Sequence, residues 1–135
     1  MADLAGRRAD GAPSIAPAMI ERLHRRKSGC LIAAACELGA MAGGAGPEAR
    51  RALAGYGSRL GIAYQIVDDI ADLAGDRTVG QPNLAAVLGP AAAAKRARGL
   101  LAGASRAVRR AKADPGALDA FAAELLAAAA APAEP

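Results

Sequence analysis

The residues with the chemistry to bind a metal fall in one short stretch, Gly57-Ser-Arg-Leu-Gly61-Ile-Ala-Tyr-Gln65-Ile-Val-Asp68-Asp69-Ile-Ala-Asp72. On an α-helix, residues three and four apart share a face. Gly57, Gly61, Gln65, Asp68 or Asp69, and Asp72 therefore line one side, bare of side chains at its start and dense with carboxylate at its end. Asp68 and Asp72 are like charges one turn apart, which opposes an isolated helix by roughly a few tenths of a kcal/mol. Held on a mostly apolar helix, the two resist ionising together unless a positive charge lies between them. Each glycine inside the helix costs about a further 1 kcal/mol against alanine. Mg²⁺ would relieve the carboxylates. It takes one or two of them and fills its shell with water and phosphate oxygens. A second reading of the same spacing has the aspartates facing solvent and the glycines permitting a close helix crossing. Spacing alone leaves both open.

These residues need a helix to carry them, and the sequence supplies one. Leu60, Ile62, Ile66, Val67, Ile70 and Leu73 cover its other sides, which predicts a central helix over 47–74, with Pro47 in its first turn and Gly75 just past its end. The whole chain supports such an architecture. Apolar residues make up 53%, yet there are only two tyrosines, one phenylalanine and no tryptophan, and alanine supplies much of the rest. Alanine is the best helix former and a poor core filler, so closely packed helices are expected and a sheet is not. The fold class predicted is all-α, a helical bundle.

Upstream, Met19, Ile20, Leu23, Leu31 and Ile32 recur at helical spacing from Pro17, with His24-Arg25-Arg26-Lys27 presented between them, and Ser14 is the expected cap. That helix runs into an alanine- and cysteine-rich stretch and breaks at Gly43-Gly44-Ala45-Gly46-Pro47. Downstream, a third helix starts after Pro82 and is interrupted near Gly89-Pro90, a fourth spans about 91–112, Asp114-Pro115-Gly116 turns, and a last helix covers about 117–131. A single domain over 1–131 and a disordered tail over 132–135 are expected.

The stretch Gly57-x-x-x-Gly61-x-Ala63-Tyr64-Gln65-Ile66-x-Asp68-Asp69-x-x-Asp72 closely resembles the second aspartate-rich motif of the trans-isoprenyl diphosphate synthases. Lys27-Ser28-Gly29 resembles the Lys-Thr pair of that family, and residues 1–4 the end of its Gly-Gln-x-x-Asp-Leu segment. Gln81-Pro82-Asn83-Leu84 and Val87-Leu88-Gly89 are similar to its Pro-Thr-Leu and Leu-Leu-Gly stretches, so the likeness covers nearly the whole chain. The resemblance implies the C-terminal half of an isoprenoid synthase fold. It implies Mg²⁺-dependent head-to-tail condensation of isopentenyl diphosphate with an allylic diphosphate. By matching positions, Asp68 would be the principal metal ligand, with Asp69 and Asp72 binding metal or its waters. Lys27, with Ser28, would contact the allylic diphosphate, and Gln65 would lie beside the cluster.

Two departures qualify the resemblance. No Asp-Asp-x-x-Asp occurs before Lys27, where the family carries the opposing ligands, and the segment from Gly75 to Gln81 lacks the lysine of the family's loop, leaving that contact to Arg77. The chain is therefore expected to be incomplete and inactive alone: a truncated or split form of the enzyme, working as a homo-oligomer or with a complementary synthase half. The alternative is a non-catalytic helical partner that modulates a complete synthase, and a third reading is a generic helical interaction module. Either way an apolar face is expected to be exposed where further helices would pack.

The remaining features are bland. A net charge of +4 suits an anionic ligand, but basic residues without interleaved aromatics argue against nucleic acid. Cys30 and Cys36, six apart, do not form a zinc pattern and are expected to be reduced, buried thiols. No apolar run reaches the roughly 20 residues of a membrane span, the first eight residues lack an apolar leader core, and a cytoplasmic location is expected.

Overall fold

A computed structural model describes residues 15–75 and 80–130. The first four residues, the Ser14 cap, Arg77 and the 132–135 tail lie outside them. Among the described residues every regular element is helical: α1 (Pro17–His24), a π turn (Arg25–Gly29), α2 (Cys30–Ala42), α3 (Pro47–Ala74), α4 (Leu84–Leu88), α5 (Pro90–Arg110) and α6 (Gly116–Ala130). The all-α expectation holds.

Helix boundaries follow local chemistry. Proline opens α1, α3 and α5, where its fixed φ suits the first turn and its missing N–H costs nothing. α2 closes in a Schellman motif: Gly44 adopts φ 74°, its N–H reaches the Met41 carbonyl, and Ala45 N–H reaches that of Ala40. α5 closes in the same way, but with a side chain in the left-handed position: Lys112 adopts φ 56°, and Ala113 N–H bonds back to Val108. Ala16, with no side-chain cap, precedes α1.

α1, the π turn and α2 form one continuous rod, because His24, Arg25, Gly29 and Cys30 all keep right-handed helical angles. The π turn is marked by the i→i+5 bond from Cys30 N–H to the Arg25 carbonyl. The rod pairs antiparallel with α3, and glycine makes the pairing close. A Cβ on Gly57 would stand 2.5 Å from the Ile32 carbonyl oxygen, and one on Gly61 would stand 2.5 Å from Gly29 Cα. The glycines of α3 thus admit neighbouring backbone. Of the two readings left open by their spacing, close crossing is the one the geometry supports for this half of the stripe.

α3 is the central helix: Tyr56, Leu60, Ile62, Ala63 and Ile66 are buried to within a few per cent. α5 lays a stripe of small residues against it, Ala93, Ala97, Leu101, Ala104 and Val108, at helical spacing. α6 is fixed by a polar knot, in which Tyr56 donates to Asp119 Oδ1 at 2.8 Å and Ser105 donates to Oδ2 at 2.8 Å. Arg109 adds a longer contact to Oδ2 at 3.1 Å. Burial alone would raise the Asp119 pKa, but these donors and the Arg109 charge hold it below the usual carboxylate range. α1 is clasped to α5 by a two-pronged ion pair, Arg96 Nε and Nη2 to the Glu21 carboxylate at 2.6 and 2.9 Å.

One expectation is corrected here. Both cysteines are unpaired, but they are not buried: Cys30 is exposed and Cys36 half-buried, its thiol pKa raised by that burial. The apolar stretch that carries them turns much of its surface outward. Leu31 is 76% exposed, Leu38 64% and Met41 50%, so α2 contributes apolar area outside the core. The exposed apolar face expected from sequence is present there.

Candidate metal centre

The antiparallel pairing of rod and α3 brings the sequence's candidate residues together. Its contacts form a ladder: Ile32 and Ala33 beside Gly57, Gly29 beside Gly61, Ser28 on Gln65, and His24 on Asp69. The two glycine rungs draw the backbones close. The two polar rungs lie beyond them, at the end where the carboxylates stand.

At the first polar rung, Gln65 donates from Nε2 to Ser28 Oγ at 2.7 Å. Gln65 is only 5% exposed, so this bond fixes its amide. Lys27, next along the π turn, is exposed and borders the same cavity. That cavity, about 530 Å³, is lined by Leu23, His24, Lys27, Gln65, Asp68 and Asp72, with Asp69, Gln81 and Pro82 also on its wall. The sequence's candidates Lys27, Gln65, Asp68, Asp69 and Asp72 therefore meet at one place, and Ser28 supports them from the side.

The three aspartates do not occupy equivalent environments. Asp68 is partly exposed, and its pKa is raised, first by burial and then by the Asp72 charge; Lys27 and His24 oppose the rise, while Asp69 adds to it. Asp72 is half-buried one turn further on. Asp69 is turned inward. Its Oδ2 accepts the Leu84 N–H at 2.7 Å and faces His24 Nε2 at 3.2 Å, while its backbone carbonyl accepts from Asn83 Nδ2 at 2.8 Å. Asn83 in turn caps α4 through Oδ1 to Ala86 N–H at 2.8 Å, so the segment entering α4 is tied to the carboxylate cluster.

The carboxylate oxygens are hard donors of the kind that Mg²⁺ takes one or two of. Among the described residues, no three His, Cys, Asp or Glu side chains gather closely enough to hold an ion, so Asp68, Asp69 and Asp72 do not form a three-carboxylate site by themselves. Asp68, whose pKa is raised by burial and then by the Asp72 charge, and Asp72 offer hard oxygens on an open wall. A cation there would relieve that repulsion and complete its shell from water and anionic ligand oxygens.

Two features escaped the sequence reading. The sequence presents His24 with the bases that follow it, yet it is 5% exposed and its Nε2 stands 3.2 Å from Asp69 Oδ2. The signal was its position four residues before Ser28, which places both on one helical face. Asn83, which the sequence places in a family-like stretch, ties α4 to α3 by donating from Nδ2 to the Asp69 carbonyl.

Comparison with known proteins bears on this geometry. Residues 7–86 match the sequence model of the polyprenyl synthetase family, which is more than half of the chain. The chain is 37% identical over 105 residues to farnesyl diphosphate synthase of Escherichia coli, covering 67% of this chain and 34% of that protein. It is 42% identical over 62 residues to heptaprenyl diphosphate synthase component 2 of Bacillus subtilis, covering 45% of this chain and 18% of that protein. Against geranylfarnesyl diphosphate synthase of Aeropyrum pernix it is 46% identical over 59 residues, covering 43% of this chain and 19% of that protein. The chain thus matches about a third or less of the length of these relatives.

Proposed function

This chain belongs to the polyprenyl synthetase family, and on that footing we propose that it supplies the diphosphate-holding wall of a Mg²⁺-dependent isoprenyl diphosphate synthase. The reaction would be head-to-tail condensation of isopentenyl diphosphate with an allylic diphosphate. One observation carries the reading: Lys27, Gln65, Asp68 and Asp72 line a single cavity, although the sequence separates the lysine from the aspartates by some forty residues.

Asp68 and Asp72 would hold the ion directly, and Asp69, whose Oδ2 already accepts the Leu84 N–H, would act through the ion's waters. When bound, Mg²⁺ would supply Lewis-acid neutralisation of the charge that develops on a departing diphosphate. Lys27 would draw the diphosphate to the cavity from the opposite helix and stay beside it as a fixed positive charge. Gln65, clamped by Ser28, would keep its amide beside the cluster. Leu23 and Ile20 give the same wall an apolar side, which suits a prenyl chain.

Carboxylates on one helix approach a diphosphate from one side only. The reading therefore includes a complementary synthase half that carries facing ligands, or a second copy of this chain in a homo-oligomer. Calorimetric titration with inorganic pyrophosphate tests the wall itself. Weak binding that needs Mg²⁺ is the expected result, and binding indifferent to Mg²⁺ overturns the reading. A prenyl-transfer assay with and without a co-expressed N-terminal half tests the complement, with turnover expected only from the pair.

A second reading, a non-catalytic helical partner of a complete synthase, draws support from the exposed apolar surface of α2. Retention of Gln65 and all three aspartates on one cavity favours the first.

A further inference from the structure

We propose that His24 is a positioning residue for the metal-binding wall, acting through Asp69; this rests on the Mg²⁺–diphosphate reading of the cavity. His24 closes α1, immediately before the π turn, and its ring is 5% exposed. Nε2 stands 3.2 Å from Asp69 Oδ2, and Nδ1 is buried with no hydrogen-bond partner among the described residues. A buried polar atom without a partner costs roughly 1–3 kcal/mol. A histidine kept only to fill space would cost that much for nothing, because a leucine fills a similar volume with no polar atom to satisfy. The polar contact that the structure gives the ring is the one from Nε2 to Asp69.

That contact governs direction. Asp68 and Asp69 are adjacent on α3, so their side chains diverge by about 100° around the helix. With Asp69 held inward by the Leu84 N–H at 2.7 Å and His24 Nε2 at 3.2 Å, rotating α3 would break a hydrogen bond and a close polar contact to a buried carboxylate. Asp68 and Asp72 are then aimed at the cavity wall that also carries Lys27. Releasing Asp69 at its His24 side would let its carboxylate swing toward Asp68, adding a third negative charge and blurring the geometry of the two ligands. Hydrogen-bonding partners behind metal-binding carboxylates characteristically change metal affinity by about 10-fold or more.

The test measures the Mg²⁺ concentration at half-maximal binding of inorganic pyrophosphate, by calorimetry on the full chain, for the wild type, His24→Leu and His24→Gln. Glutamine places an amide N–H near the position of Nε2, and leucine does not. His24→Leu is expected to raise the Mg²⁺ midpoint about tenfold, with His24→Gln returning it to within about twofold of wild type. His24→Asn, whose shorter amide cannot reach Asp69, serves as the deficient variant should the leucine variant fail to fold. A purely structural histidine would shift the melting temperature in these variants and leave the midpoint of the folded protein unchanged. That outcome overturns the proposal, as does a glutamine variant as weak as the deficient one. A wild type that binds pyrophosphate without regard to Mg²⁺ overturns the cavity reading and this proposal together. Wild-type Mg²⁺ dependence with unaffected variants overturns the role of His24 alone.

Discussion

Asp68 sits where stability and binding pull in opposite directions. Burial and the neighbouring Asp72 raise its pKa in the folded chain. A carboxylate whose folded value lies above its unfolded value opposes folding when ionised: the penalty is full above the raised value, shrinks as pH falls through it, and vanishes below the ordinary value of about 3.9. Asp68→Asn should therefore stabilise the metal-free chain at pH 7, by about a few tenths of a kcal/mol because the group is largely solvated. Thermal melts in EDTA should show the gain at pH 7 and lose it below about pH 4. The same variant should bind pyrophosphate no better with Mg²⁺ than without. Asp119 carries the opposite sign. Its pKa is held down, so the anchorage of α6 is fully present above about pH 4 and is lost as pH falls through the lowered value. Tyr56→Phe removes a buried donor to that carboxylate and should cost about 1.5 kcal/mol by chemical denaturation. Much of the residue scale was legible from spacing: Gln65, Asp68 and Asp72 were singled out by sharing a helical face, and they share a cavity. The inward turn of Asp69 was not legible, because its partners His24 and Leu84 lie 45 positions before it and 15 after it (69 − 24; 84 − 69).

At the scale of elements, punctuation was readable and deformation was not. Pro47 and Gly75 bracket α3 as the sequence indicated, and the interruption at Gly89-Pro90 separates α4 from α5. The final helix begins at Gly116, within a residue of expectation. The π turn left no such mark, because Arg25, Arg26, Lys27 and Ser28 are all tolerated in an ordinary helix. It accompanies the place where Gly29 meets Gly61, a contact between residues 32 positions apart (61 − 29). The helix stability that Gly57 and Gly61 cost α3 is accounted for by packing, since both admit the backbone of the neighbouring helix. Gly61→Ala would drive a methyl group into Gly29 backbone and should cost about 3 kcal/mol or abolish folding, which denaturant titration would reveal. Lys112→Gly should act the other way. It relieves a non-glycine residue at φ 56°, offset by the greater freedom of glycine in the unfolded chain, for a net gain of about 0.5–1 kcal/mol in the same titration.

Over the described residues as a whole, apolar surface is unevenly placed. The core is built around α3, with alanines of α5 giving close contact in place of bulky filling. The outward side of α2 carries Leu31, Leu38 and Met41 with Cys30 among them. Such a surface should bind the dye ANS in the native state, and a Leu31→Glu/Leu38→Glu double variant should lose most of that fluorescence while keeping its melting temperature within a few degrees, since neither side chain contributes to the core. No described helix is long and apolar enough to cross a membrane.

The ladder between the first rod and α3 has a consequence for how this molecule can change. All its rungs join the same two helices, so sliding one past the other by a turn, about 5.4 Å, would disturb every pairing at once: glycine would confront side chains, and Gln65 and Asp69 would lose Ser28 and His24 together. At Gly57 and Gly61 the backbones already stand so close that an added Cβ would lie 2.5 Å from the neighbouring chain. The arrangement behaves like a ratchet tooth, engaged or disengaged, so evolution or an engineer can exchange what faces the cavity but cannot adjust the spacing between its two walls in small increments.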